Sequence, residues 1–269
     1  MATFTIHGAR GSYPVDGAAY GRYGGSTSCF SLETAQGLLV VDAGTGIAAL
    51  GDELDRRPAL PPITILLTHL HLDHIVGVPS FKPLLKKGAS VTFMADSGVG
   101  GDWRRMLTTI AGKPLWPVDL LEFGAAIRFE DLPAGPFTRY GVRILRCPVW
   151  HPQGCVSYRL EADGRAIIVA TDREHGDAAL DAGFLPLCRG ADVLIHDAQY
   201  TPEEYLSRKG WGHSTWEDGA RVAAASGVKR LILVSHDPGR SDDAVDRIVA
   251  QAQQVFPKTV AGAERMIVD

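Results

Sequence analysis

The segment Thr68-His69-Leu70-His71-Leu72-Asp73-His74 constrains this chain more than any other. Three imidazoles and a carboxylate fall within six positions, directly after the apolar run Ile63-Thr64-Ile65-Leu66-Leu67, which reads as a buried strand. A strand ending in such a cluster delivers nitrogen and oxygen donors to one point, and a transition metal such as zinc favours that set. In an extended segment His69 and His71 point the same way. Asp73 and His74 lie where the chain turns into a helix expected to begin near Ile75 and to end at Lys86-Lys87-Gly88. One cluster can therefore feed two neighbouring cations. A surface histidine tract is the plainer alternative. Here, however, the tract lies between an apolar strand and an apolar helix, where four unpaired polar side chains would be costly.

The 269 residues, 45% hydrophobic and 22% charged, suit a soluble globular protein with a substantial core. A net charge of -4 gives no sign of a surface built to coat nucleic acid. No basic-then-apolar leader opens the sequence and no apolar stretch is long enough to span a bilayer, so the expectation is a cytoplasmic protein without membrane contact. Cys29, Cys147, Cys155 and Cys188 form no Cys-x-x-Cys pair. That spacing argues against a zinc knuckle or a disulfide framework and for buried free thiols.

Strands are expected at 2–7, 27–34, 37–42, 63–68 and 90–95, with a helix from about 47 to Arg57 stopped by Pro58. A less regular region, 97–125, carries Trp103-Arg104-Arg105-Met106 and Trp116-Pro117 and reads either as a lid or as a helix buried against the domain or a second subunit. Strands near 127–131, 141–149, 154–162 and 165–171 follow. Then come a helix, a strand at 192–197, helices around 202–208 and 215–226, a strand at 230–235, a helix at 241–254 and a closing strand at 264–268. Both halves place strands first and helix–strand alternation after, the plan of two sheets packed face to face with helices outside. With no linker rich in Pro, Ser or charge, 1–269 reads as one domain.

Further candidate ligands recur where strands end. His151 follows Cys147-Pro148-Val149-Trp150, Asp172 follows Ile167-Ile168-Val169-Ala170-Thr171, and His236 follows Leu231-Ile232-Leu233-Val234-Ser235. Singly, each has a bland reading, and Asp172 can simply cap the next helix. Strand termini on one rim of a sandwich nevertheless converge across large sequence separations.

This order of residues resembles the metallo-β-lactamase fold hydrolases. The match runs from His69-x-His71-x-Asp73-His74 through a histidine, an aspartate and a final histidine over essentially the whole chain. The resemblance implies an α/β fold of the αββα four-layer sandwich type. It also implies two divalent metal ions, zinc first, with manganese or iron as alternatives. Under it, His69, His71 and His151 hold the first metal and Asp73, His74 and His236 the second, with Asp172 bridging. Asp42 in Val41-Asp42-Ala43-Gly44 matches the acidic position that supports the ligand loop, although it can equally cap the following helix.

Ile195-His196-Asp197-Ala198-Gln199-Tyr200 and Gly212-His213-Ser214-Thr215 are similar to elements of tRNase Z and related phosphodiesterases. There the acidic residue and the histidine relay a proton near the leaving oxygen, a catalytic role that falls here on Asp197 and His213 beside Asp73. Gly212-His213-Ser214 also reads as a helix start, with Ser214 as cap and Glu217 completing a capping box. The tRNase enzymes carry an arm between the histidine and the bridging aspartate. His151 and Asp172 are only 21 positions apart, already filled by two strands. Bulk nucleic acid is thereby disfavoured and a small-molecule phosphodiester, such as a cyclic nucleotide or cyclic phosphate, is the expected partner.

Gly8-x-Arg10-Gly11-Ser12-x-Pro14 with Tyr23-Gly24-Gly25-Ser26-Thr27-Ser28-Cys29 resembles the phosphonate-catabolism cyclic phosphodiesterase group, with Ser26 where those relatives often have Asn. Arg10 reads first as a structural arginine bonding loop carbonyls and second as a phosphate contact. A lactonase or thiolesterase, a short-RNA nuclease and a non-catalytic metal- or metabolite-binding member stay open, as does a homodimer.

Overall fold

The apolar runs become two seven-stranded mixed sheets in the computed structural model, which describes residues 1–268. Strands β1 (Thr3–Gly8), β2 (Cys29–Thr34), β3 (Gly37–Val41), β4 (Ile63–Leu66), β5 (Ser90–Ala95) and β6 (Ala126–Asp131) lie side by side in chain order. The second sheet is β7 (Phe137–Arg139), β8 (Val142–Val149), β9 (Cys155–Ala162), β10 (Arg165–Ala170), β11 (Val193–Asp197), β12 (Arg230–Val234) and β13 (Thr259–Ala261), and β14 (Met266–Val268) returns to the free edge of β1. In each sheet an antiparallel meander leads into a parallel half, β3 to β6 in the first and β10 to β13 in the second. Parallel strands need helical crossovers, and these place helices on the outer faces.

Side-chain alternation explains the continuous apolar runs. In β3, Leu39 and Val41 face the layer between the sheets, with Phe4, Phe30, Tyr158, Val169 and Ile195. Leu38 and Val40 face outward onto the helix Ile47–Asp55 and its neighbours. In β11, Leu194 likewise faces out onto Phe184, Ala220 and Ile248 from the helices Ala178–Cys188, Trp216–Ser226 and Asp242–Val255. The result is the four-layer αββα sandwich, with each fully buried aliphatic side chain contributing roughly 1.5–3 kcal/mol.

Several boundaries differ from expectation for identifiable reasons. The single helix expected up to Lys86 is three short turns, Leu72–Ile75, Val78–Ser80 and Lys82–Leu85, because Gly77, Pro79 and Pro83 interrupt it. The irregular region contains a helix, Trp103–Ile110, capped by Asp102, whose carboxylate accepts from Arg105 N. Trp103 is fully buried, its indole donates to Asp131 at 3.1 Å, and it packs on Phe129. That helix is therefore docked on the first sheet through Trp103 and Leu107. The short strands Phe137–Arg139 and Thr259–Ala261 carry too few residues for periodicity to reveal. All four cysteines are buried and free. Among the described residues no helix is long and apolar enough to cross a membrane.

His7 in β1 is buried, with Nε2 bonded to Ser31 Oγ at 2.8 Å, and burial lowers its pKa to about 4. The unfolded chain, with its histidines near 6.5, binds this proton first, so folding stability falls as pH drops from about 6.5 toward 4, by up to about 3 kcal/mol for this group. Urea midpoints at pH 7 and pH 4.5 are expected to differ less in His7→Gln than in the native sequence. An equal difference would show that His7 has no part in the acid sensitivity.

Candidate metal centre

The carboxyl ends of β3, β4, β10, β11 and β12 meet at one rim of the sandwich, where α/β sheets place their ligands. Three residues at these ends, Asp42, Asp172 and Ser235, adopt left-handed backbone conformations with φ of 61°, 50° and 56°. Aspartate tolerates this region better than most residues, and the sharp turn swings its carboxylate back over the strand end.

Asp172 is the meeting point. Its Oδ2 lies 3.5 Å from His69 Nε2, 3.3 Å from His74 Nε2, 3.8 Å from His151 Nε2 and 3.9 Å from His213 Nε2. His69, His71, His151 and Asp172 each present a donor atom within 4.8 Å of the others, and so do Asp73, His74 and Asp172. Burial opposes ionisation of Asp172, but His74 and then His213 outweigh it and hold the carboxyl well below its usual range.

The hydrogen bonds fix where the lone pairs point. Asp42, fully buried at the end of β3, accepts from Thr68 N at 2.8 Å, from Thr68 Oγ1 at 2.8 Å and from His74 Nδ1 at 2.8 Å. Thr68 Oγ1, having donated its proton to Asp42, accepts from His69 Nδ1 at 3.0 Å. One carboxylate thus turns the Nε2 of both His69 and His74 into the cluster. Burial keeps His69 neutral with its Nε2 unpartnered, whereas His74, despite burial, is raised well above its usual range by Asp172, Asp73 and Asp42 and faces both Asp172 and Asp73 at 3.3 Å. His151 Nδ1 donates to the Gly212 carbonyl at 2.7 Å, which leaves its Nε2 facing His71 Nδ1 at 2.9 Å. His71 Nε2 donates to Gln153 Oε1 at 2.9 Å. Lone pairs converging on one carboxylate in a buried pocket fit a divalent cation; without one they repel. Burial also pulls His151 down to about 4, in keeping with a neutral donor imidazole. The helix start after Asp42 is capped at Gly46 instead, so Asp42 supports the ligand loop. Gly44 makes room for it, since a Cβ there would lie 2.2 Å from the Asp73 carbonyl oxygen.

Asp197 and His213 form a second pair beside the cluster. His213 Nδ1 donates to Asp197 Oδ2 at 2.7 Å, and Gln199 N donates to Asp197 Oδ1 at 2.9 Å. Burial disfavours a charged His213, but Asp197 and then Asp172 overcome it and raise the group to about 9. The helix start coexists with this geometry one residue later than expected, because Thr215 rather than Ser214 accepts from Asp218 N.

One predicted ligand is not brought in. His236 belongs to none of the donor groups; its Nε2 donates to the Gly262 carbonyl at 3.0 Å and its ring lies against Tyr23. Gly262 is held there by its own N–H bond to Leu233 O, so the loop before β14 supplies an acceptor that competes for the imidazole. The second donor group is therefore Asp73, His74 and Asp172. Arg10 is fully buried and donates to the carbonyls of Gly24 and Arg240, with Asp242 at 3.4 Å, the structural role expected first.

Glu174 went unnoticed in the sequence. Its buried carboxylate accepts from Gly212 N at 2.7 Å, Gly210 N at 2.8 Å and Tyr205 Oη at 2.9 Å. It clamps the loop that carries both the Gly212 carbonyl under His151 and His213 itself. No local pattern marks it. Only the brief interval between Asp172 and Glu174 hinted that the loop beyond the strand continues the site.

The family profile described as the beta-lactamase superfamily domain matches residues 38–236, and the chain belongs to that superfamily, as a metallo-β-lactamase fold hydrolase. A ribonuclease Z of Porphyromonas gingivalis is 37% identical over 257 residues, covering 77% of this chain and 81% of that protein. Among solved structures, a new diphosphatase from the PhnP family superposes with a TM-score of 0.74 at 18% identity, over 100% of this chain and 98% of the other. Human tRNase Z, short form, superposes at 0.67 with 20% identity, over 100% and 99%. These two structures speak for the fold alone.

Replacing the carboxylate that orients two imidazoles, Asp42→Asn, is expected to weaken zinc binding roughly ten- to a hundredfold in a chelator-competition titration, with far-UV circular dichroism retained. Unaltered affinity in a folded variant would show that Asp42 does not orient the donors.

Proposed function

We propose that this chain, acting as one domain, is a metal-dependent phosphodiesterase for a small phosphodiester, a cyclic nucleotide or cyclic phosphate being the simplest candidates. His69, His71, His151 and Asp172 would hold one divalent ion, and Asp73, His74 and Asp172 would hold a second, zinc, manganese and iron all suiting such a donor set. When bound, such ions supply Lewis-acid polarisation of a phosphoryl oxygen and a water nucleophile of lowered pKa.

The observation that carries the reading is the Asp197–His213 pair. An alkoxide leaves phosphorus poorly unless it is protonated as it departs. His213 is oriented by its Nδ1 bond to Asp197, and its Nε2, directed to the Asp172 side of the ring, is the atom that delivers the proton. Gln199 N holds the far oxygen of Asp197, which fixes the carboxylate that orients the ring. Asp73, whose Oδ2 accepts from Ser12 N at 2.8 Å, closes the other side of the pocket and orients the attacking water. Hydrolysis of a thioester expels a thiolate, a better leaving group, and has less use for this pair.

The size of the substrate follows from what fills the interval between His151 and Asp172. β9 and β10 are joined by the two-residue turn Asp163-Gly164, with positive φ at both positions, so no arm projects there. The names of the ribonuclease Z relatives favour a second reading, cleavage of short RNA, with the same relay.

Metal-loaded protein is expected to hydrolyse bis(p-nitrophenyl) phosphate in preference to a lactone or a thioester. His213→Ala is expected to lower kcat for a cyclic nucleotide or other alkyl diester, whose leaving group is an alkoxide, by about 10²–10⁴-fold at unchanged metal content, while release of p-nitrophenolate, which needs no acid, changes far less. Turnover of carbonyl substrates alone would overturn the phosphodiesterase reading. Full alkyl-diester turnover by His213→Ala would remove His213 as the acid, and efficient trimming of a short RNA would favour the second reading.

A further inference from the structure

A shallow cleft of about 160 Å³, open to solvent on one side, lies directly beside the candidate metal centre. Its inner end is formed by His69 and His71, and its walls are the apolar side chains of Leu70, Val99, Met106 and Pro152. These come from three separate elements: the ligand loop, the Gly98–Gly101 loop with the helix Trp103–Ile110, and the turn after His151. The elements are tied together across the cleft. Gly100 N donates to the Gln153 carbonyl at 3.1 Å, and the Gln153 side chain accepts from His71 Nε2. Gly100 sits so close to Leu70 that a Cβ there would lie 2.8 Å from Leu70 Cδ1, which keeps the wall flat. Met106 stays 47% exposed on a helix whose Trp103 and Leu107 are buried, so its thioether is directed to the cleft mouth and not into the core.

We infer that this cleft binds a flat, apolar group, aryl or nucleobase in size, on the ester arm that stays attached to phosphorus in the product. The inference rests on the phosphodiesterase reading above. Two observations assign the arm. The cleft shares His69 and His71 with the cluster, so a group seated there remains joined to a phosphoryl group at the metal centre. The turn His151-Pro152-Gln153-Gly154 stands between the cleft and the relay, with Pro152 Cδ packed 2.5 Å from where a Gly212 Cβ would lie. The departing oxygen is therefore on the His213 side and the retained arm on the His71 side. The Met and aliphatic walls offer dispersion contact to a planar ring, and the one side-chain amide in the lining, Gln153, is already engaged through its Oε1 by His71.

The test compares bis(p-nitrophenyl) phosphate with methyl p-nitrophenyl phosphate on the zinc-loaded protein, and phenylphosphonate with methylphosphonate in calorimetric binding to the same protein. Both diesters release p-nitrophenolate and differ only in the retained arm. The diaryl ester is expected to exceed the methyl ester in kcat/KM by tenfold or more, beyond the twofold given by its two equivalent leaving arms. Phenylphosphonate is expected to bind at least tenfold tighter than methylphosphonate. Met106→Gln, at a half-exposed position, and Val99→Thr are each expected to cut both preferences severalfold, lowering diaryl-ester kcat/KM and phenylphosphonate affinity more than their methyl counterparts. Diesters cleaved without discrimination between arms would overturn the cleft and leave the phosphodiesterase reading standing. A phenylphosphonate preference that the variants abolish, without diester turnover, would keep the cleft and overturn the phosphodiesterase reading. Equal or absent binding of the two phosphonates, or variants that leave the preferences intact, would overturn the assignment of the cleft.

Discussion

The buried carboxylate of Asp42 is the contact on which the centre depends. It touches no candidate substrate position, yet through Thr68 and His74 it decides which nitrogen of two imidazoles carries the proton and which presents a lone pair. Burial alone raises the pKa of Asp42, and His74 and the Thr68 donors work against that rise. The carboxylate and its donors therefore hold one another in place. The turn behind it is glycine for a separate reason: Gly44 lets the Asp73 carbonyl approach, and a Cβ on Gly77 would lie 2.2 Å from Gly44 O. Ligand loop and β3 terminus thus form one rigid unit.

The second sheet completes what the first begins. Each sheet changes from an antiparallel meander to a parallel half, and the parallel halves direct their carboxyl ends toward the same rim. Asp172 arrives from β10, Asp197 from β11 and His151 from the end of β8, so the donors are held by two sheets whose shared core is close-packed. The convergence leaves the lone pairs of His69 Nε2, His71 Nδ1 and His151 Nε2 gathered beside an ionised carboxylate. Such an arrangement opposes folding unless a cation offsets it. Folding and metal binding are therefore expected to be coupled, as in other sites where deprotonated donors are gathered by the fold.

The part of this centre legible in the sequence was the part written locally. His69, His71, Asp73 and His74 stand within one turn of chain after an apolar run, and strand-terminal positions marked His151 and Asp172. Asp197 and His213 were readable as a pair through the resemblance of their surroundings to tRNase Z. His236 occupied an equally good strand end, but the acceptor that engages its ring, Gly262 O, comes from a loop whose path is set only when β13 and β14 join their sheets. Glu174 was illegible for a similar reason, acting through Gly210 and Gly212 contacts that no periodicity encodes, whereas the 97–125 region was legible only as lid or buried helix. The broken helix at 72–85 is different, since Gly77, Pro79 and Pro83 are local breakers that override the apolar pattern.

The most direct test of the metal-centre account is an anomalous-difference map from crystals of the zinc-loaded protein. The account predicts a peak about 2.0–2.2 Å from nitrogens of His69, His71 and His151 and from a carboxylate oxygen of Asp172. A map with no peak among these four residues, or with zinc held only elsewhere on the chain, would contradict it.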